Sequence, residues 1–176
     1  EIRVDANGAF TPQNVMSRLE ALSQYSIHSI EQPIKQGQWE EMARVCRNSP
    51  LPVALDEELI GIDNPMMMME LIKTIRPHYL VLKPSLVGGF SGATTWLKMA
   101  AQFNIGAWIT SALESNIGLN ALAQWVATLQ PKIPQGLGTG RLFSNNIQSP
   151  LEQTGETVSY NPQLKWEIPP MDWIEF

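Results

Sequence analysis

Short apolar runs that end in a polar residue alternate along this chain with longer stretches whose apolar residues recur every three to four positions. The short runs read as buried parallel strands: IRVD at 2–5, SIHSIE at 26–31, PVALD at 52–56, YLVLK at 79–83, AWITS at 107–111 and a weaker IPQGL at 133–137. The longer stretches read as amphipathic helices. Their stripes are Trp39, Met42, Ala43 and Cys46; Met68, Leu71, Ile72 and Ile75; Ala93, Trp96, Leu97 and Ala100; then Leu122, Trp125, Val126 and Leu129. Thr11 before Pro12 and Asn64 before Pro65 each place a capping side chain ahead of a proline, whose missing N–H costs nothing at the first helical position. Met66 to Met69 open one helix and read as packing residues.

The polar residues that close the first five strands are Asp5, Glu31, Asp56, Lys83 and Ser111, spaced 25 to 28 residues apart, the length of a strand, a helix and two short loops. Alternating β and α units with near-continuous apolar strands predict a parallel sheet covered by helices. An open doubly wound sheet gathers its ligand groups at one switch point, whereas consecutive strand ends converge only in a ring. The fold class expected is therefore α/β, a TIM-type (β/α)8 barrel, here represented by six βα units taken as strands 3 to 8. The expected organisation is a barrel domain over 1–145 that lacks its first two βα units. Residues 146–176 are expected to be an irregular tail, with Trp166 and Trp173, packing back on the barrel or on a companion domain. The start at Glu1, already strand-like and without a Met, fits a chain whose N-terminal part lies elsewhere.

Composition narrows the function classes. With 44% hydrophobic and 16% charged residues, disorder is excluded, and no run reaches the roughly 20 apolar residues of a bilayer span. A net charge of −5, with scattered Lys and Arg, offers no track for nucleic acid. The single Cys46 rules out an internal disulfide framework and any multi-cysteine metal site, and a reducing cytoplasm fits it.

Three carboxylates at neighbouring strand ends are the strongest chemical signal. At 4 Å and an effective dielectric of about 20, two ionised carboxylates repel by about 4 kcal/mol. Asp5, Glu31 and Asp56 therefore share a site only if some are protonated or a divalent cation lies among them. No His or Cys ends these strands, so an oxygen-only set favours a hard ion such as Mg²⁺, with Mn²⁺ also admissible, over zinc. Lys83 on the next strand supplies the further positive charge that an anionic substrate needs. Glu57 reads as a supporting residue beside Asp56, and Glu58 as solvated. Asn7 reaches a metal-bound water or caps its own turn before Gly8. Ser111 and the backbone after it offer hydrogen bonds to a substrate, while Ser115 equally caps the helix near Asn116. Gly88 and Gly89 bring the backbone close to a ligand or close a tight turn. GLGTG at 136–140 lacks dinucleotide-fingerprint spacing and reads as a tight loop. His28 and His78 lie away from the strand ends and read as packing or surface residues; Cys46 reads as core.

The segments VDANGAFTP (4–12), IEQP (30–33), ALDE (54–57), LKPSLVGG (82–89), ITSALESNIGL (109–119) and GLGTG together resemble the barrel domain of the enolase superfamily, over nearly all of 1–145. The order Asp, Glu, Asp, Lys resembles its muconate-lactonizing subgroup. SALESNIGL with GLGTG is most similar to the dehydratase branch of menaquinone biosynthesis, which removes water from a succinyl-hydroxycyclohexadiene carboxylate. The resemblance implies Asp5, Glu31 and Asp56 as metal ligands, Lys83 as the lysine that stabilises the enediolate, and a small-molecule carboxylate substrate. It also implies a general base in a Lys-x-Lys segment on the second strand. The lysines here are Lys35, Lys73, Lys83, Lys98, Lys132 and Lys165, with no such motif, so the base and a capping domain are expected upstream. Alternatives within the subgroup are an N-acylamino acid racemase and a dipeptide epimerase; the latter often carries Asp-x-Asp where this chain has GLGTG. Outside it stands a non-catalytic scaffold.

Overall fold

A computed structural model describes residues 1–168; Trp173, Pro169 and Pro170 of the expected tail lie outside the described residues. The chain divides into two compact units, Glu1–Thr110 and the part from Ser111 onward.

The first unit is built of four βα units and a fifth strand: β1 (Ile2–Asp5), α1 (Val15–Leu22), β2 (Ile27–Glu31), α2 (Trp39–Asn48), β3 (Val53–Leu55), α3 (Pro65–Ile75), β4 (Tyr79–Leu82), α4 (Gly89–Gln102) and β5 (Gly106–Ile109). All neighbouring strands are parallel, in the sequential order β1-β2-β3-β4-β5. A sheet that never reverses its strand order has no switch point, which is barrel order rather than doubly wound order. The strands are apolar because both faces are covered: Ile30, Val53, Ala54, Leu55, Leu80, Val81 and Leu82 are all buried. The helix stripes pack over them, through Met42, Ala43, Val45 and Cys46 of α2, Met68, Leu71, Ile72 and Ile75 of α3, and Ala93, Trp96, Met99 and Ala100 of α4.

Several local expectations hold and several need correction. Asn64 caps α3, its Oδ1 accepting from the Met66 N–H at 2.8 Å, with Pro65 at the first position. Thr11 does not cap a helix starting at Pro12. Residues 12–14 form a turn, Asn14 occupies the N-cap position of α1, and Thr11 contributes its carbonyl to the N–H groups of Asn14 and Val15. Of the methionine run only Met68 is buried, while Met66 and Met67 face outward, since a helix can turn only one residue in three or four to its core. His28 packs its ring 4.8 Å from Tyr79, and Cys46 is buried.

The second unit holds α5 (Asn116–Leu129), anchored by Leu119, Leu122 and Val126, with Leu129 exposed. The sixth expected strand, IPQGL at 133–137, is not one. Pro134 removes a ladder donor, and the stretch makes a single bridge, offering the Gly136 carbonyl to the Ser111 N–H at 3.0 Å. The GLGTG loop tightens into a 3-10 turn over Gly138–Arg141. The stretch expected to be irregular contains an antiparallel hairpin, β6 (Leu151–Thr154) and β7 (Thr157–Tyr160), turned through Gly155 at φ +58°.

Candidate active site

Parallel pairing sets the site. Asp5 and Glu31 are opposed at the ends of β1 and β2. Glu31 is in turn opposed to Ala54, so Asp56, two residues on, shares that face just beyond the end of β3. Lys83 follows the last residue of β4 directly. Four of the expected site residues thus stand on four adjacent strand ends of one sheet.

Their contacts tie three of them together. The Lys83 Nζ donates to Asp56 Oδ2 and lies 3.9 Å from Glu31 Oε1. Asp56 is 2% exposed, whereas Lys83 and Glu31 remain partly open. Asp5 is exposed, and its Oδ1 accepts from the Asn7 N–H at 2.8 Å. Asn7 therefore forms the turn that follows β1, at φ +45°. Gly88, at φ +87°, also serves a turn, giving its carbonyl to the Gly92 N–H as α4 begins.

The electrostatics express the crowding. Burial first, then repulsion from Asp5 and Asp56, pushes the Glu31 carboxyl up to about 8, with Lys83 only partly offsetting them. Burial, reinforced by Asp56 and Asp5, raises Glu57 as well, and its buried Oε2 has no hydrogen-bond partner among the described residues. Burial alone would depress Lys83, but the bond and charge of Asp56, with Glu31 and Glu57, hold its ammonium above the ordinary lysine value. Among the described residues no three His, Cys, Asp or Glu side chains are gathered so as to hold an ion as they stand. The donor chemistry nevertheless fits a hard divalent cation. It is all oxygen, and the field that keeps a proton on Glu31 is one that a cation relieves.

Ser111 belongs to the second unit. It is buried, its Oγ lies 2.5 Å from the Thr139 Oγ1, and it accepts from the Leu113 N–H at 3.2 Å. Thr139, within GLGTG, is a partner the sequence did not single out.

One expectation is reversed. Glu58, read as solvated, is 4% exposed, and its carboxylate accepts from the Gly37 N–H at 2.7 Å and from Gln32 Nε2 at 3.1 Å. Gln32, not singled out, is fully buried between Glu31 and the loop after β3. A cleft of about 690 Å³ lies elsewhere, against Tyr79 and Gly106, the first residues of β4 and β5. Its lining of Lys73, Arg76, His78 and Asn104 includes no carboxylate, so the strand-end chemistry is not there.

Residues 1–155 match the enolase C-terminal domain-like family, and the chain belongs to it. The five parallel strands are accordingly part of the TIM-barrel-type fold of that family. Over 155 residues the chain is 59% identical to o-succinylbenzoate synthase of Desulfotalea psychrophila, covering 88% of this chain and 42% of that protein. The crystal structure of MenC from Desulfotalea psychrophila is similar with a TM-score of 0.87 and 57% identity, over 90% of this chain and 44% of that one. Muconate cycloisomerase from Pseudomonas fluorescens, 24% identical with a TM-score of 0.82 over 95% of this chain and 47% of its own, shares the fold. The chain spans less than half the length of these relatives.

Proposed function

We propose that this chain carries the strand-end chemistry of a Mg²⁺-dependent dehydratase that converts a succinyl-hydroxycyclohexadiene carboxylate to o-succinylbenzoate. The observation that carries the reading is the Lys83 ammonium set against Asp56 and Glu31 at the ends of adjacent strands. Asp5, Glu31 and Asp56 are the proposed metal ligands, and Lys83 is the proposed catalytic residue. The likeness to o-succinylbenzoate synthase supports the choice of reaction.

The difficulty of the reaction is a weakly acidic proton beside a carboxylate, whose loss leaves two negative charges on one group. Held by the three carboxylates, Mg²⁺ would act there as a Lewis acid toward the substrate carboxylate. Lys83 stays protonated at working pH because Asp56 and Glu31 hold it so. Its fixed charge stabilises the doubly charged enediolate more than the singly charged acid, and that difference is what accelerates the step. Expulsion of hydroxide then yields an aromatic ring. The general base is proposed to come from a Lys-x-Lys segment upstream, alongside a capping domain, in a cytoplasmic protein. No helix among the described residues is long and apolar enough to cross a membrane.

The test is the loss of diene absorbance when the full-length protein meets that substrate. Turnover that stops with chelator and returns with Mg²⁺ supports the proposal. Metal-independent turnover, or none with N-acylamino acid racemisation in its place, overturns it.

A further inference from the structure

Gln32 is fully buried and sits at φ +36°, in the left-handed region that a residue with a side chain adopts only when held there. What holds it is a complete set of bonds. Its Oε1 accepts from the Asp56 N–H at 3.1 Å and from the Glu58 N–H at 3.3 Å. Its Nε2 donates to the Ile34 carbonyl at 3.0 Å and to Glu58 Oε2 at 3.1 Å. Glu58 closes the circuit by accepting from the Gly37 N–H. The backbone agrees, since the Gln32 N–H donates to the Ala54 carbonyl and its own carbonyl accepts from the Gly8 N–H. One amide side chain next to Glu31 in sequence thus grips the peptide N–H of Asp56 in space, and its backbone carbonyl holds the loop that follows Asp5.

We infer that Gln32, locked by Glu58, is a positioning residue that sets the carboxylates of Glu31 and Asp56 in register for one divalent cation. It touches neither substrate nor ion and acts through the two strand ends it joins. The inference rests on the proposed metal-binding reading. Carboxylates presented by loops are only as well placed as their peptide planes, and outer partners of this kind govern affinity by about 10- to 100-fold. The Glu58 carboxylate accepts from the amide nitrogen, which fixes the orientation of the amide so that the oxygen and not the nitrogen faces the Asp56 N–H.

The experiment is titration of the full-length protein with Mn²⁺, read by electron paramagnetic resonance, with the thermal midpoint in chelator measured in parallel. Gln32→Met is expected to raise the Mn²⁺ Kd about tenfold or more. Val45→Ala, a cavity at a buried α2 residue that makes none of these bonds, is expected to lower the midpoint while leaving Kd within about twofold. Equal affinity in Gln32→Met and the unaltered protein overturns the inference, as does an equal loss of affinity in Val45→Ala. Should Gln32→Met not fold, Gln32→Glu decides alone and combined with Glu58→Gln. The double exchange swaps acid and amide across the same bond, and it is expected to recover most of the affinity the single change loses. No recovery overturns the inference. Failure of the unaltered protein to bind Mn²⁺ would instead remove the metal-binding reading itself.

Discussion

Lys83 and Asp56, 27 positions apart in sequence, are joined by an ion pair across the ends of β4 and β3. Asp56 is nearly inaccessible to water, and Glu31 stands beside the pair. One ammonium faces two acidic groups here, so that each carboxyl is stabilised by the opposite charge and destabilised by its like neighbour. Such a cluster is poor material for stability and good material for holding a cation and an anionic substrate.

Glu31 is where that trade shows first. Its carboxyl is pushed from the ordinary 4.5 up to about 8 in the folded, metal-free protein. The native state therefore binds a proton that the unfolded state releases, so stability falls as pH rises from 4.5 through about 8. In chelator, Glu31→Gln is expected to raise the thermal midpoint strongly at pH 9 and more weakly at pH 6, and with Mg²⁺ present to abolish turnover at both. Thermal scans at the two pH values check this.

His78 reports in the opposite direction. Burial lowers its pKa below the ordinary 6.5, and its Nδ1 accepts from the Val53 N–H at 3.1 Å at the start of β3. Protonation breaks that bond, so the stability it contributes is present above pH 6.5 and is lost as pH falls through the lower folded value. Between pH 7 and 5, where the Glu31 carboxyl works in the opposite direction, the advantage in denaturant midpoint of the unaltered protein over His78→Asn is expected to shrink.

Burial pushes the Cys46 thiol up to about 12. At pH 8 the folded protein is expected to resist iodoacetamide for hours, and denaturation to expose one reactive thiol per chain. Mass spectrometry distinguishes this from a reactive surface cysteine.

Gly92 stands where α4 passes the turn after Lys83. A Cβ there would lie 1.9 Å from the Val87 carbonyl oxygen. Gly92→Ala is expected to cost about 3 kcal/mol, by forcing apart the helix start and the turn. Urea unfolding measures the loss.

The strand ends were legible because a polar residue closing an apolar run is conspicuous, and because the spacing of Asp5, Glu31, Asp56 and Lys83 repeats. Sequential parallel order then follows from regular βα alternation. Gln32 and Glu58 were not legible. Their bonds join positions 26 apart, and nothing local marks a Glu three residues after β3 as buried. The hairpin at 151–160 left a weak trace, short alternation on either side of Gly155, which the neighbouring prolines obscured. The IPQGL run misled for the converse reason, since its apolar residues imitate a strand although Pro134 removes a ladder donor and only Gly136 makes a bridge.

The proposed role of Lys83 is to stabilise charge in the reaction rather than merely to pair with Asp56. Turnover of Lys83→Met in the full-length protein at saturating Mg²⁺ tests it most directly. The expected result is a kcat lower by about 10³-fold, about 4 kcal/mol of lost stabilisation, with Mg²⁺ still bound, since the competing ammonium has been removed from Asp56. A kcat within a few-fold of the unaltered protein would rule that role out, leaving Lys83 a partner of Asp56 and nothing more.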